Sequence, residues 1–329
     1  RKMKTGIVGC GKFAEKRAEA MGDDLIACFD VDYAKARDFA KRHNCIMVEY
    51  LPDLYSAVDA VVVSTNSGSL YINAKQAIEA GKHVLVEKPG ATKSEQIKDL
   101  IYVSQKEKVL VQVGFNHRFH PAFMTAKRLI FLEHQIGKVN YVHGTYGHGG
   151  REGYGEEWRG KASEGGGEGL DKGVHLIDLA SLFMGAGEIT FPYVEGKTAT
   201  YHWGMNVEDN IFMLLKTNNG RIAMLNSSST DWRNTFRFDI LGETGKISIE
   251  GLGGSYGTEK LTLYEMVKGK ELPEVYSWEF LGKDESLKIE YDCFVRHIKQ
   301  GRSFYETADL YDALKAIDVI ERIKANDNH

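Results

Sequence analysis

The hexapeptide Gly9-Cys10-Gly11-Lys12-Phe13-Ala14 constrains this chain more than any other segment. It stands between an apolar run, Thr5 to Val8, and a helix-permissive stretch that ends near Gly22. Strand, glycine turn and helix in that order open a βαβ unit, and the G-x-G-x-x-A spacing is the fingerprint of a dinucleotide-binding turn. Gly9 permits the tight turn, Gly11 lets backbone approach a pyrophosphate at the helix N-terminus, and Ala14 is small enough for the helix to lie on the strand. The second strand, Leu25 to Phe29, ends on Asp30, nineteen residues beyond Gly11. A carboxylate there takes the adenosine ribose hydroxyls and repels a 2′-phosphate, so NAD is expected in preference to NADP. The alternative for Asp30 is a plain turn residue.

The alternation continues. Tyr33 to His43 reads as a helix, Ile46 to Val48 as a strand, Asp53 to Ala57 as a short helix and Asp59 to Val63 as a fully buried strand. Leu70 to Ala80 is helical and stops at Gly81, His83 to Val86 is a strand, Thr92 to Lys108 a helix and Val109 to Val113 the next strand. Thr92 is the expected cap of that helix, with Glu95 at the capping-box position. Strands alternating with helices make an α/β domain with a doubly wound parallel sheet. Ligands bind at the carboxyl ends of such strands, which nominates Thr65 and Asn66 for the cofactor, against an ordinary turn. Asn116 and Arg118, past the last strand, are further candidates for the crevice.

Lys88 stands at another strand end, before Pro89. Proline restricts its predecessor to extended geometry and admits a cis bond, so the ammonium is held in a defined pose. Beside a nicotinamide it would hydrogen-bond a substrate hydroxyl and stabilise the alkoxide that develops as hydride leaves. A surface lysine is the plainer reading.

Composition excludes several classes. Net charge of −4 and a pI near 6.3 leave no basic face for nucleic acid. No run approaches the roughly 18 apolar residues of a membrane helix, and the start of the chain has no signal-peptide pattern. Cys10, Cys28, Cys45 and Cys293 are scattered, with no Cys-x-x-Cys pair, which suits a reducing cytoplasm and argues against a zinc cluster. At 329 residues the chain has room for two cores.

The second chemical constellation lies at Gly165 to Asp178, where a glycine-rich loop gives way to an apolar-periodic segment. Asp171 and His175 are four apart and share a face if the helix starts near Asp171. A carboxylate beside an imidazole orients the ring and makes it a better proton acceptor, which suits a general base. The plainer reading is a capping Asp and a satisfied core histidine. His143, His148, Glu168, Asp171 and His175 have workable metal-ligand types but no compact motif, so no metal is expected.

These motifs together resemble the family of glucose-fructose oxidoreductase and inositol dehydrogenase, over essentially the whole length. Gly9 to Ala14, Glu87-Lys88-Pro89, Gly114-Phe115-Asn116-His117-Arg118-Phe119 and Asp171 to Asp178 carry the resemblance by their order and separation. The resemblance implies a catalytic Lys88, Asp171 and His175, and a cofactor site of Gly9, Gly11, Lys12, Phe13, Asp30, Thr65, Asn66, Glu87, Lys88 and Asn116. It implies NAD(P)-dependent oxidation or reduction of sugars, sugar nucleotides or cyclitols. Where the family often has Thr-Pro-Asn followed by a histidine, this chain has Thr65-Asn66-Ser67 leading to Leu70. A sensor that binds NAD without turnover would be expected to lose Lys88 or His175, and both are present. Imine or dihydropyridine reduction would have less need of Asp171 and His175.

Residues 1–120 then form the Rossmann domain and 121–329 the substrate domain, an α+β unit on a large, mostly antiparallel sheet. Seven strand-like segments between Ile189 and Phe280 are separated by turns such as Asn218-Asn219-Gly220. Resemblance implies that the sheet's open face joins copies into a homodimer or homotetramer. From Gly147 to Gly169 dense glycine is punctuated by Tyr154, Trp158 and Arg159, and such a loop is expected to lack rigidity and close over substrate. Aromatic rings there suit a sugar face, and Arg159 a carboxylate or diphosphate. Arg118, Tyr154, Trp158, Arg159, Asp171 and His175 are thus the substrate candidates.

Overall fold

β1 (Thr5–Val8), α1 (Lys12–Met21), β2 (Leu25–Phe29), α2 (Tyr33–His43), β3 (Ile46–Met47), α3 (Leu51–Ala57), β4 (Ala60–Val63), α4 (Ser67–Glu79), β5 (His83–Glu87), α5 (Ser94–Glu107) and β6 (Val111–Gly114) follow the alternation read from the sequence. The computed structural model describes residues 2–185, 189–301 and 306–327. Its contacts divide into two units: the chain up to Asn116 with Glu285–Leu314, and His117–Asp284 with the chain from Lys315.

The first unit holds a six-stranded sheet of order β3-β2-β1-β4-β5-β6, all pairings parallel. The order reverses between β1 and β4, so the ligand crevice of a doubly wound sheet opens where Gly9 and Ser64 follow those strands. All four residues of β4 are buried, which explains its unbroken apolar run. α5 begins at Ser94, not Thr92. Lys93 is its N-cap, and the Gln96 side chain, not Glu95, accepts the N–H groups of Lys93 and Thr92 at 3.2 and 3.1 Å. Moving the cap one residue on, from Thr92 to Lys93, moves the capping-box position from Glu95 to Gln96.

The second unit contains α6 (Pro121–Lys127), β7 (Val139–Gly147), α7 (Val174–Gly185), β8 (Tyr193–Ala199), β9 (Asn210–Lys216), β10 (Ile222–Ser228), β11 (Thr235–Gly242), β12 (Gly245–Glu250), β13 (Glu259–Glu265) and β14 (Glu274–Phe280). Its eight strands lie in the order β14-β13-β12-β11-β7-β10-β9-β8, antiparallel throughout except for the β7–β10 pair. One face is buried under α6 and α7, where Phe123, Phe183 and Phe238 pack ring to ring. On the other face Tyr141, Phe212, Leu214, Ile222 and Met224 are exposed. This alternation gives each strand its period of two.

A linear division into 1–120 and 121–329 misses one feature. α8 (Ser286–Gln300) returns to the first unit, where Tyr291 and Phe294 join the core of Ile7, Ala14 and Phe39. The Tyr291 hydroxyl and Thr5 Oγ1 share a buried hydrogen bond of 2.8 Å. α9 (Leu310–Asp327) starts in the first unit, and the division falls within it. The amphipathic pattern of α8 shows that it buries a face, not which core receives it.

Candidate active site

In the first unit the glycine turn is shaped for a ligand. Gly9 has φ +94°, and a Cβ there would lie 2.6 Å from the Ser64 carbonyl, so no side chain fits. A Cβ on Gly11 would meet nothing within 4 Å, so protein packing does not demand that glycine. The space above it is where a phosphate can reach the first N–H groups of α1, which carries no side-chain cap. Ala14 is buried as its place against the strand requires.

Asp30 does more than wait for a ribose. Its Oδ2 accepts the Cys10 N–H at 2.7 Å and its Oδ1 the Asp32 N–H at 2.8 Å, so the carboxylate pins the glycine turn from the end of β2. A cavity of about 320 Å³ opens beside it, lined by Asp30, Val31, Tyr33, Met47, Glu49 and Tyr50. A backbone anion cradle at Gly11 and an acid-lined cavity at the end of β2 fit the pyrophosphate and adenosine of a dinucleotide. Lys12 and Phe13 are exposed at the start of α1, and Thr65 is half-buried beside Gly9. Asn66 is the N-cap of α4 and accepts the Ser69 N–H at 3.1 Å.

Lys88 follows β5, is half-buried, and precedes a cis Lys88–Pro89 bond. Its neighbour Glu87 has another task than cofactor binding. The Glu87 carboxylate is ion-paired with Arg17 of α1, and Arg17 Nη1 also donates to Glu290 Oε2 of α8 at 2.6 Å. All three side chains are buried, so Glu87 is committed to joining β5, α1 and α8. Asn116 donates from Nδ2 to Ser286 Oγ at 2.9 Å.

In the second unit α7 starts at Val174, later than the sequence suggests. Asp171 lies in the preceding π turn, Gly169–Gly173, closed by the Val174 N–H to the Gly169 carbonyl. Such turns widen the helix locally and recur at functional sites. Asp171 Oδ2 accepts from Arg159 Nε at 3.1 Å and Lys172 Nζ at 3.0 Å, so two cations hold it ionised. His175 is 5% exposed, stacked on His117 with ring centroids 3.9 Å apart. Tyr146 of β7 lies beside both rings.

Sequence reasoning missed the buried network behind Asp171. Lys172 Nζ is 3.7 Å from Glu168 Oε2, and Asp171 and Glu168 raise its pKa against the pull of burial. His148 Nδ1 accepts the Gly150 N–H, and its Nε2 lies 3.1 Å from Glu168 Oε1 and 2.9 Å from Lys172 Nζ. Burial works to raise the Glu168 carboxyl, but the Lys172 ammonium and the His148 hydrogen bond outweigh it and leave it below the usual range. Glu168 and Lys172 are four apart, which was a legible signal. His143 is exposed on the far face of the sheet. Among the described residues no group of three His, Cys, Asp or Glu side chains is arranged to hold a metal.

Two substrate candidates have other placements. Arg118 is 2% exposed and donates from both Nε (2.8 Å) and Nη2 to the Asp178 carboxylate, so it braces its own turn on α7. Tyr154 is 1% exposed and donates to Glu168 Oε1 at 3.0 Å. Burial and the neighbouring carboxylates hold its phenol well above the ordinary range. Its ring is interior, with no face for a sugar. The loop around it is not loose either: it folds into three 3₁₀ turns, and Gly155 and Gly160 let their backbones touch. The glycines there serve close approach. Trp158 is half-buried, its ring 4.5 Å from the Arg159 guanidinium.

The family of oxidoreductases with an NAD-binding Rossmann fold matches residues 3–115, and the GFO/IDH/MocA C-terminal domain matches 123–248. The chain belongs to the GFO/IDH/MocA oxidoreductase family. An inositol 2-dehydrogenase from Saccharopolyspora erythraea is 28% identical over 264 residues, 75% of this chain and 73% of that protein. The structure of a levoglucosan dehydrogenase with NADH and levoglucosan superposes at a TM-score of 0.88 and 20% identity, over 99% of this chain and 98% of that one. A 3-ketoreductase from Actinomadura kijaniata, in complex with NADP, superposes at 0.82 and 22%, covering 99% and 98%. This member of the GFO/IDH/MocA oxidoreductase family thus combines a parallel Rossmann sheet with a large, mostly antiparallel second sheet. No helix among the described residues is long and apolar enough to cross a membrane.

Proposed function

We propose that this enzyme is an NAD-dependent dehydrogenase that moves a hydride between nicotinamide and a secondary alcohol or ketone of a sugar, sugar nucleotide or cyclitol. The observation that carries the reading is a buried imidazole, His175, at the start of α7, one turn beyond an acid held ionised by two cations. Such an imidazole, shielded from water, can take a hydroxyl proton. When bound, NAD accepts the hydride at nicotinamide C4. His175 takes the hydroxyl proton as the carbonyl forms and returns it in the reverse direction. Asp171 orients the substrate and the ring, and the Lys88 ammonium stabilises the alkoxide. Trp158 and Arg159 are the remaining candidates to contact substrate.

The preference for NAD over NADP is supported by Asp30 and Glu49, two carboxylates that line the cavity beside β2 and would repel a 2′-phosphate there. We further assign the exposed apolar face of the second sheet to contact between copies, as a homodimer or homotetramer. Four free cysteines suit the cytoplasm.

Titration with NADH, followed by an absorbance screen for reduced nicotinamide across inositols, free and linked sugars, uronates and sugar nucleotides, tests the reading. His175→Ala should lower turnover by about two to four orders of magnitude and leave NAD affinity intact. NADH binding with no turnover of any alcohol would overturn it in favour of a sensor.

A further inference from the structure

Trp232 stands out among the exposed side chains of the second unit. Its indole is 64% exposed and its φ is +56°, a conformation that L residues other than Asn and Asp seldom adopt. Of the other three such residues, Asn44 and Lys108 terminate α2 and α5, where a left-handed cap is ordinary, and His134 follows the π turn after α6. Trp232 ends no helix. It lies in the connection between β10 and β11, and capping gives no account of its strain.

The surroundings are built to hold that ring. His202 meets it edge-on, with centroids 4.9 Å apart and planes at 85°, and meets Trp203 in the same way at 4.7 Å. Trp203 donates from Nε1 to the Ser229 carbonyl at 2.7 Å. A Cβ on Gly149 would meet the Trp232 backbone at 3.2 Å, and one on Gly150 would strike the Trp203 indole. The loop is thus moulded around two tryptophans. The same loop reaches the candidate active site: the His148 carbonyl accepts the Asp231 N–H at 3.0 Å, and His148 Nε2 lies 2.9 Å from Lys172 Nζ, itself 3.0 Å from Asp171. One residue, His148, separates the indole's strand connection from the ion cluster at Asp171.

We propose that Trp232 is the floor of a second saccharide subsite, taking the pyranose ring linked to the one oxidised at His175. The inference rests on the dehydrogenase reading and narrows its substrate class to a neutral disaccharide or longer glycoside. The electron-rich face of an indole attracts the positively polarised C–H bonds of a pyranose, and flanking Arg233 and Asp231 supply polar contacts for hydroxyls. A diphosphate-linked sugar fits less well, because two of the nearby cations are already paired with acids of the loop. Arg151 binds Glu157 through two bonds of 2.5 and 2.7 Å, and Arg159 binds Asp171.

The test is calorimetric binding to the enzyme with saturating NADH, using maltose, cellobiose, their methyl monoglucosides, myo-inositol and UDP-glucose. The wild-type enzyme should bind at least one disaccharide on the order of 10-fold or more tightly than its methyl monoglucoside. Trp232→Gly should abolish that difference, while its thermal midpoint stays at or above the wild-type value, because glycine adopts φ +56° without strain. Trp232→Phe should restore part of the preference. A preference that survives Trp232→Gly, no preference in the wild type, or a Trp232 effect confined to UDP-glucose each overturns the proposal. Binding is read without turnover, so a disaccharide that binds through Trp232 and is never oxidised would sink the dehydrogenase reading while leaving the subsite standing.

Discussion

The imidazole of His117 lies face to face with that of His175, with ring centroids 3.9 Å apart and planes 18° from parallel. The ion pair one residue on explains why. Arg118 is bound to Asp178, so the turn carrying His117 is fastened to α7 one helical turn beyond His175. His120 Nδ1, beside His117, lies 3.0 Å from Glu259 Oε2, and Tyr146 closes the other side. The stack fixes the plane of the His175 ring, so His117 is a positioning residue. His117→Ala should lower kcat by on the order of 10-fold with little change in KM. His117→Phe should recover most of that loss by keeping a ring in the stack. Steady-state kinetics with an unchanged kcat in His117→Ala would remove His117 from this role.

The proposed preference for NAD is assigned to Asp30 and Glu49. Replacing Asp30 with Ser removes a carboxylate from the ribose cavity and the acceptor of the Cys10 N–H. The ratio of kcat/KM for NAD over NADP should fall on the order of 100-fold, the size expected for relieving a like-charge contact. An unchanged ratio in coupled steady-state assays would show that discrimination lies elsewhere.

The first unit was legible because its signals are local. Glycine spacing, buried apolar strands and glycine stops each depend on a few consecutive residues, and β1 through β6 stand where the pattern puts them. What failed to show depends on partners far apart in sequence. Glu87 reads as a cofactor ligand until Arg17, 70 residues before it and shared with Glu290, is seen to hold it. Arg118 and Tyr154 carry side chains suited to a substrate, yet both are buried against carboxylates of their own unit. Composition suggested a slack loop at Gly147 to Gly169, because glycine permits both looseness and close packing, and only tertiary contacts decide between them. The spacing of Asp171 and His175, four apart, was legible. The π turn that sets their relation was not, since no residue type specifies one.

Arg17 joins two carboxylates in the interior, and removing the guanidinium would leave both buried without it. Arg17→Met should cost on the order of 4 kcal/mol of unfolding free energy. Arg17→Lys should recover only part, because an ammonium cannot reproduce the fork. Gly114→Ala should be damaging for a related reason: its Cβ would lie 2.7 Å from Arg17 Nη2 and 3.2 Å from Glu87 Oε2. Urea melts check all three, and a double variant that is less destabilised than the sum of its parts would reveal the shared site. Additive losses would count against it.

Glu168 should give the second unit a pH-dependent stability. Its carboxyl lies below the usual range in the folded chain, so the proton is bound more tightly when unfolded. The stabilisation is then fully present above the unfolded pKa, about 4.3, and is lost as pH falls through the lower folded value. Glu168→Gln removes the charge that faces Lys172 and leaves one amide oxygen to accept the Tyr154 proton. At neutral pH it should cost on the order of 3 kcal/mol, since Lys172 would keep only Asp171 as a counter-charge. Thermal midpoints of the two proteins should differ most at pH 7 and converge as pH falls below the unfolded value and through the lower folded one, where the native carboxyl also becomes neutral. A gap that stays constant down to pH 3 would mean that shape, not charge, is what the network requires of Glu168.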